Sequence, residues 1–271
     1  MSRVPLFPDR RRPLIFAHRG CSSLAPENTL AAFRKARDLG VPGIELDVHI
    51  CATGELVVVH DGTFTRTAGP GADAAPVEEL SWRAIRSLDT GSFFDPRFHQ
   101  ERPLRLEEAL EEFCPAMYVD IELKSRRIGR DPLPGRAAAL LKALGPVYAG
   151  AVSVSSFNPF CLSAFKRAAP PIPVAAIWSA DRELPLVLRR GLGRWIARCD
   201  YVKPAHYRIS PLARLVIGGW EQRPLVAWTV DTVELAERLA RQGCAGIITN
   251  RPQDMLGILQ PPEPAPGESR A

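Results

Sequence analysis

Five consecutive residues, Ile44-Glu45-Leu46-Asp47-Val48, alternate between apolar and acidic. Strand side chains point to opposite faces in turn, so the three aliphatic residues share one face and Glu45 and Asp47 the other. Val119-Asp120-Ile121-Glu122-Leu123-Lys124 repeats the pattern and places Asp120, Glu122 and Lys124 together. Positions two apart on a strand are separated by roughly 6.6 Å, so Glu45 and Asp47 can reach one ion, and Glu122 can add a third oxygen. Carboxylates gathered where water is partly excluded repel one another and take up protons unless a cation compensates. All-oxygen ligation, with water in the remaining positions, suits a divalent cation such as Mg or Ca better than zinc. The other use of the same residues is a structural ion-pair network with Lys124 and Arg19.

Two histidines stand at the ends of β-like runs, in His18-Arg19-Gly20 and in His60-Asp61. Imidazole titrates near neutrality and can give or take a proton at a reacting oxygen, while guanidinium can grip a phosphate in a fork of donors. Lys124 supplies a second cation. Taken singly, each histidine can be a structural hydrogen-bonding residue, but their shared position points to chemistry. Two imidazoles, two cations and an acidic metal site fit phosphoryl transfer better than acyl transfer, which calls for a nucleophile elbow. The chain contains no G-x-S-x-G, P-loop or G-x-G-x-x-G.

Positioning these groups requires a scaffold of strands and helices. Short β-branched runs bounded by turn signals are predicted at Leu14 to Ala17, Gly43 to His49, Met117 to Leu123, Gly150 to Val154, Pro173 to Ile177, Tyr201 to Lys203, Leu225 to Val230 and Gly246 to Thr249. Helical spacing follows most of them, at Thr29 to Leu39, Leu106 to Phe113, Gly135 to Ala143, Pro159 to Ala168, Leu184 to Arg190, Pro211 to Ile217, Thr232 to Gln242 and Pro252 to Leu259. Asn28 or Thr29, Ser210, and Asp231 or Thr232 are the expected N-caps. Eight βα units in this length predict an α/β fold, a (β/α)8 TIM barrel, whose active site lies at the carboxyl ends of the strands. After a further strand at Leu56 to His60, an insertion at about 61–103, with a helix-like stretch near Val77 to Leu88, is expected to cap the barrel mouth. Residues 1–259 then form one domain, and the Pro-rich tail 260–271 is expected to be disordered.

The composition narrows the function classes. The chain has 271 residues, 46% of them hydrophobic, enough for a sizeable core. Its longest apolar runs fall far short of the roughly 18 residues of a membrane-spanning helix. Behind Arg3, Arg10, Arg11 and Arg12, the stretch Leu14 to Ala17 is too brief for a signal-peptide core, so a cytoplasmic location is expected. A formal charge of +5 mildly favours anionic partners. The arginines are scattered without interleaved aromatic residues, so no nucleic-acid partner is expected. Cys21, Cys51, Cys114, Cys161, Cys199 and Cys244 stand far apart, as reduced and mostly buried thiols would.

Taken together, Ala17-His18-Arg19-Gly20, Ala25-Pro26-Glu27-Asn28-Thr29, Ile44 to Val48, His60-Asp61 with Thr63 and Arg66-Thr67, and Ile121-Glu122-Leu123-Lys124 resemble the glycerophosphodiester phosphodiesterase family. The likeness continues through Ser155-Ser156-Phe157, Trp228-Thr229-Val230 and Gly246 to Pro252. It implies a TIM barrel with an insertion after the second strand. It also implies hydrolysis of a small-molecule glycerophosphodiester to sn-glycerol 3-phosphate and an alcohol, with one divalent cation. His18 and His60 match the family's acid-base pair, Glu45, Asp47 and Glu122 its metal ligands, and Arg19 and Lys124 its phosphate contacts. Trp228 matches an aromatic wall beside the substrate, with core packing as the alternative. Asn28 is expected to orient Arg19 or cap the helix.

Some positions depart from the family's pattern. Asp231 and Asn250 stand where asparagine and aspartate are frequent, and neither matches a catalytic position. Lys203 stands where a neutral polar residue is frequent, which suggests an altered head-group preference. His49 reads as a polar rim residue. Phe93, Phe94, Pro96 and Phe98 form an apolar cluster, either the insertion's own small core or a surface for a lipid leaving group. The rival activities are therefore a lysophospholipase D or cyclising phospholipase reaction, or non-catalytic binding of phosphorylated ligands.

Overall fold

A computed structural model describes residues 13–69, 74–181 and 185–258. The N-terminal arginines and the Pro-rich tail lie outside the described residues. Among the described residues, ten strands run in chain order: β1 (Leu14–His18), β2 (Gly43–Ile50), β3 (Leu56–Val58), β4 (Leu104–Arg105), β5 (Tyr118–Leu123), β6 (Val152–Ser156), β7 (Val174–Trp178), β8 (Tyr201–Pro204), β9 (Val226–Ala227) and β10 (Gly246–Thr249). Eight of them pair in parallel in the order β8-β7-β6-β5-β2-β1-β10-β9. Parallel bridges from Val202 to Leu225 and from Ala205 to Trp228 bring β8 beside β9 and close the circle. The expected TIM barrel is present. β3 folds back antiparallel on β2 and pairs with β4, so the insertion hangs from the carboxyl end of the second barrel strand.

Two cores hold the barrel. Ile44, Leu46, Val48, Val119 and Ile121 point outward and pack with helical residues such as Phe33, Leu110 and Phe113. Inside, Leu14, Phe16, Ala175, Tyr201, Val226 and Ile248 form an apolar floor. Gly43 is required there, because a Cβ would lie 2.7 Å from the Phe16 ring. Period-two alternation then carries the inward face of β1 from Leu14 and Phe16 up to His18, and that of β2 from Gly43 up to Glu45 and Asp47. The floor is apolar and the mouth is polar.

The helices at Leu106–Phe113 and Pro159–Ala168 match the sequence pattern residue for residue. Those beginning at Leu30 and Val233 are capped by the hydroxyls of Thr29 and Thr232, so Asn28 and Asp231 are left for other work. β6 starts two residues later than the apolar run suggests, because Gly150 and Ala151 still belong to the turn that ends the helix Pro146–Ala149.

The insertion's small core consists of Cys51, Val57, Val59, Phe64, Val77, Leu80 and Ile85. Phe93 and Phe94 are instead exposed, and Phe94 meets Phe98 edge to face at 5.8 Å. The phenylalanine cluster is therefore not that core. All six cysteines are buried free thiols, and among the described residues no helix is long and apolar enough to cross a membrane.

Candidate active site

Register brings the acids together. β2 and β5 align Glu45 with Asp120 and Asp47 with Glu122, and β1 aligns His18 with Glu45. One oxygen from each of Glu45, Asp47 and Glu122 lies within 4.8 Å of the others, and all three residues are buried. At an effective dielectric of ~20, each charged pair at that spacing repels by roughly 3 kcal/mol. Burial and the neighbouring Asp47 push the Glu45 carboxyl well above its ordinary range. Burial also opposes ionisation of Asp47, but Lys124 and Arg19 outweigh it and hold that carboxyl low.

The cations are placed by turns and strand ends. Arg19 adopts a left-handed φ of 57°, followed by Gly20 at 81°, and this turn aims the guanidinium back over the barrel mouth. Its Nε lies 3.2 Å from Asp47 Oδ2, and its Nη1 donates to Glu27 at 3.0 Å. Lys124, just beyond β5, donates to Glu122 Oε1 at 2.8 Å and lies 3.4 Å from Asp47 Oδ1. Asn28, also left-handed, donates to Asp47 Oδ2 at 3.0 Å, so it orients the acid rather than Arg19 or the helix end. An ion-pair network with Arg19 and Lys124 thus exists alongside the acidic cluster. It is incomplete: Asp47 Oδ1 is buried and accepts no hydrogen bond.

The two imidazoles are held differently. His18 Nδ1 lies 2.7 Å from Asn250 Oδ1, and its Nε2 faces Glu45 Oε2 at 3.9 Å. Burial and the Arg19 charge lower the His18 pKa to about 4. His60 Nδ1 lies 2.6 Å from the Asp61 carboxylate, which accepts from Arg66 Nε at 2.6 Å. Arg66 also makes two 2.8 Å bonds to Glu27, which tie the insertion to Arg19. Either imidazole, when protonated, adds to the charges that hold the Asp47 carboxyl low.

Several sequence readings change here. His49 is buried, with Nε2 3.2 Å from the His60 carbonyl, so it supports His60 from behind instead of forming a rim. Lys203 is 1% exposed and bound to Asp120 and Ser155 inside the barrel, so it presents almost no surface at the mouth. Trp228 is half-buried at the mouth end of β9, donates to the Lys203 carbonyl at 2.9 Å and packs edge-on to Phe157. The contact of Asn250 with His18, and that of Asp231 with Asn250 behind it, were missed, because Asn250 meets His18 only through the pairing of β1 with β10. Their signal was their place just beyond β9 and β10, at the same barrel end as His18.

The Glycerophosphoryl diester phosphodiesterase family model matches residues 18–254. A glycerophosphodiester phosphodiesterase of Caldanaerobacter subterraneus subsp. tengcongensis is 34% identical over 253 residues, 92% of this chain and 98% of that one. Among solved structures, an Oleispira antarctica phosphodiesterase in complex with the product sn-glycerol-3-phosphate has a TM-score of 0.76 at 26% identity, over 91% of this chain and 96% of that one. A glycerophosphodiester phosphodiesterase from Agrobacterium tumefaciens gives 0.73 at 26% identity, over 89% and 97%. The matched span runs from the first imidazole through the acidic cluster to the last barrel helix, and this chain belongs to the glycerophosphoryl diester phosphodiesterase family.

Proposed function

We propose that the enzyme hydrolyses small glycerophosphodiesters to sn-glycerol 3-phosphate and an alcohol, using His18 and His60 as its acid-base pair and one divalent cation held by Glu45, Asp47 and Glu122. The observation that carries this reading is the convergence of three buried carboxylates beside two imidazoles and two cations. The product named for the Oleispira relative supports the substrate class. The donor set fits a hard cation, because its acids are all oxygen ligands, Asp47 Oδ1 has no hydrogen-bond donor, and Glu45 lacks a sufficient counter-charge. When bound, Mg or Ca supplies Lewis-acid neutralisation of charge on the phosphate.

The chain's own residues do the rest. Arg19 and Lys124 bind the phosphate oxygens and align the diester between the imidazoles. Asp61 fixes His60 Nδ1 as a donor and stabilises an imidazolium, as a carboxylate partner does. His60 therefore protonates the departing alcohol. His18 has a neutral amide at Nδ1 and presents Nε2 toward the acids, so it takes the proton from the attacking hydroxyl. Trp228 walls the substrate at the mouth. Six buried free thiols support a cytoplasmic setting.

The test is turnover of glycerophosphocholine, glycerophosphoethanolamine, bis-glycerol phosphate and lysolipids, with and without chelator. Chelation should abolish activity, and Mg or Ca should restore it. His18→Ala and His60→Ala should each lose roughly 100-fold or more. A nitrophenyl diester, whose leaving group needs no proton, should rescue H60A but not H18A. Full activity in either variant on the natural diesters, or binding of glycerol phosphates without turnover of any diester, overturns the reading.

A further inference from the structure

Asn250 joins His18 to a carboxylate. Its Oδ1 lies 2.7 Å from His18 Nδ1 and also accepts from Ser22 Oγ at 3.0 Å. Its Nδ2 donates to Asp231 Oδ2 at 2.8 Å. The other Asp231 oxygen accepts the Asn250 backbone N–H at 2.8 Å and the Thr249 hydroxyl at 3.1 Å. Thr249 cannot turn that hydroxyl away freely, because its oxygen accepts the Arg251 N–H at 3.0 Å. Every group facing Asp231 is a donor, as an acceptor-only carboxylate demands.

The polarity of the whole chain follows from that carboxylate. It forces the Asn250 amide to turn NH2 toward Asp231 and its oxygen toward His18. An oxygen facing Nδ1 requires a proton on Nδ1. Neutral His18 then carries its lone pair on Nε2, the nitrogen that faces Glu45 and the reaction space. We propose that Asp231 and Asn250 are positioning residues that set the tautomer of His18, and through it the direction in which the imidazole can take a proton. This inference rests on the proton-accepting role given to His18 above.

The structure also predicts how to reverse the chain without changing its shape. In Asp231→Asn, the new amide oxygen must keep the site that receives the Asn250 N–H, so its NH2 faces the Asn250 side chain. The Asn250 amide then turns over and presents NH2 to His18. Nδ1 becomes the acceptor and the proton moves to Nε2, where it blocks proton uptake. In the swap D231N/N250D, the amide now at position 231 donates to the carboxylate now at position 250. That carboxylate again presents an oxygen to Nδ1, and the original tautomer returns.

The experiment is 15N NMR of imidazole-labelled protein at pH 8 with magnesium, with the His18 signal assigned by its loss in H18A, alongside kinetics on glycerophosphocholine. Wild type should show Nδ1–H. D231N should show Nε2–H, with kcat reduced about 100-fold, KM within about twofold and an unchanged melting temperature. D231N/N250D should regain the Nδ1–H signature and most of kcat. A D231N protein that keeps the Nδ1–H tautomer, or a swap that fails to restore it, overturns the relay. Turnover surviving in H18A while the tautomers move as stated sinks the proton role and leaves the relay standing, so the two failures are distinguishable.

Discussion

Asp120 on β5 and Asp47 on β2 are both buried acids on inward strand faces, one layer apart, yet the chain treats them differently. Asp120 accepts from Ser153 at 3.1 Å, from the Tyr201 hydroxyl at 3.0 Å and from Lys203 Nζ at 2.5 Å. Both of its oxygens are satisfied by the fold. Asp47 has donors on Oδ2 but none on Oδ1, and Glu45 beside it is pushed toward its protonated form. A completed buried pair is structure, whereas an incomplete one keeps coordination capacity for something that is not part of the chain.

The largest expected effect separates activity from stability. Glu45→Gln should cut kcat/KM at least about 1000-fold, since a bound cation contributes several kcal/mol to charge stabilisation. The same variant should keep or raise the melting temperature measured in chelator, because glutamine mimics the protonated acid and removes a repulsion. A fully active E45Q, or one that melts well below wild type in chelator, would break the contrast between the layers.

One layer down, the order is reversed. Asp120→Asn takes from the buried Lys203 ammonium its 2.5 Å carboxylate and leaves only Glu45, 3.9 Å away, as counter-charge; breaking a buried pair from one side costs up to about 3 to 5 kcal/mol. Urea unfolding should show that loss. Replacing both partners in D120L/K203M should recover much of it, because the poorly compensated buried ammonium is gone. A double variant no better than D120N would mean that the pair itself, rather than the orphaned charge, carries the cost.

How much of this was legible beforehand depends on how far apart in sequence the partners lie. Alternation within single strands was enough to place Glu45, Asp47 and Glu122 on inward faces, because period two is local. The barrel followed from eight repeats of strand and helix. What alternation could not tell apart was Asp120 from its neighbours: its partner Lys203 lies on β8, and only barrel closure brings the two together. Asn250 is 232 positions from His18 and reaches it only because β10 pairs with β1. The phenylalanines at 93, 94 and 98 were ambiguous for a related reason, since composition does not reveal that the insertion builds its core from Phe64, Val77, Leu80 and Ile85 against Val57 and Val59 instead. Asn28 was ambiguous because its left-handed turn, which aims the amide at Asp47, has no local periodicity.

The incomplete cluster should respond to its missing partner. Mg or Ca at about 100 times its Kd should stabilise the protein against urea by about 2.7 kcal/mol, and E45Q should abolish most of that gain. If the gain persists in E45Q, the cation binds elsewhere and the upper layer is an ion-pair network after all.

The smallest effect tests whether the lower layer is only structural. Ser153→Ala removes one of the two donors to Asp120 Oδ1 and leaves Tyr201 and Lys203 in place. A single neutral hydrogen bond contributes about 1 kcal/mol net, and the remaining donors keep the carboxylate from being orphaned. Stability should therefore drop by about that amount while kcat stays within about twofold of wild type. Asp120 pairs in register with Glu45, and Lys203 lies 3.9 Å from Glu45, so any role of this layer in setting the acidic cluster would pass through that contact. A loss of kcat well beyond twofold in S153A, with stability reduced no further than stated, would show that the layer beneath the site tunes it as well as supporting it.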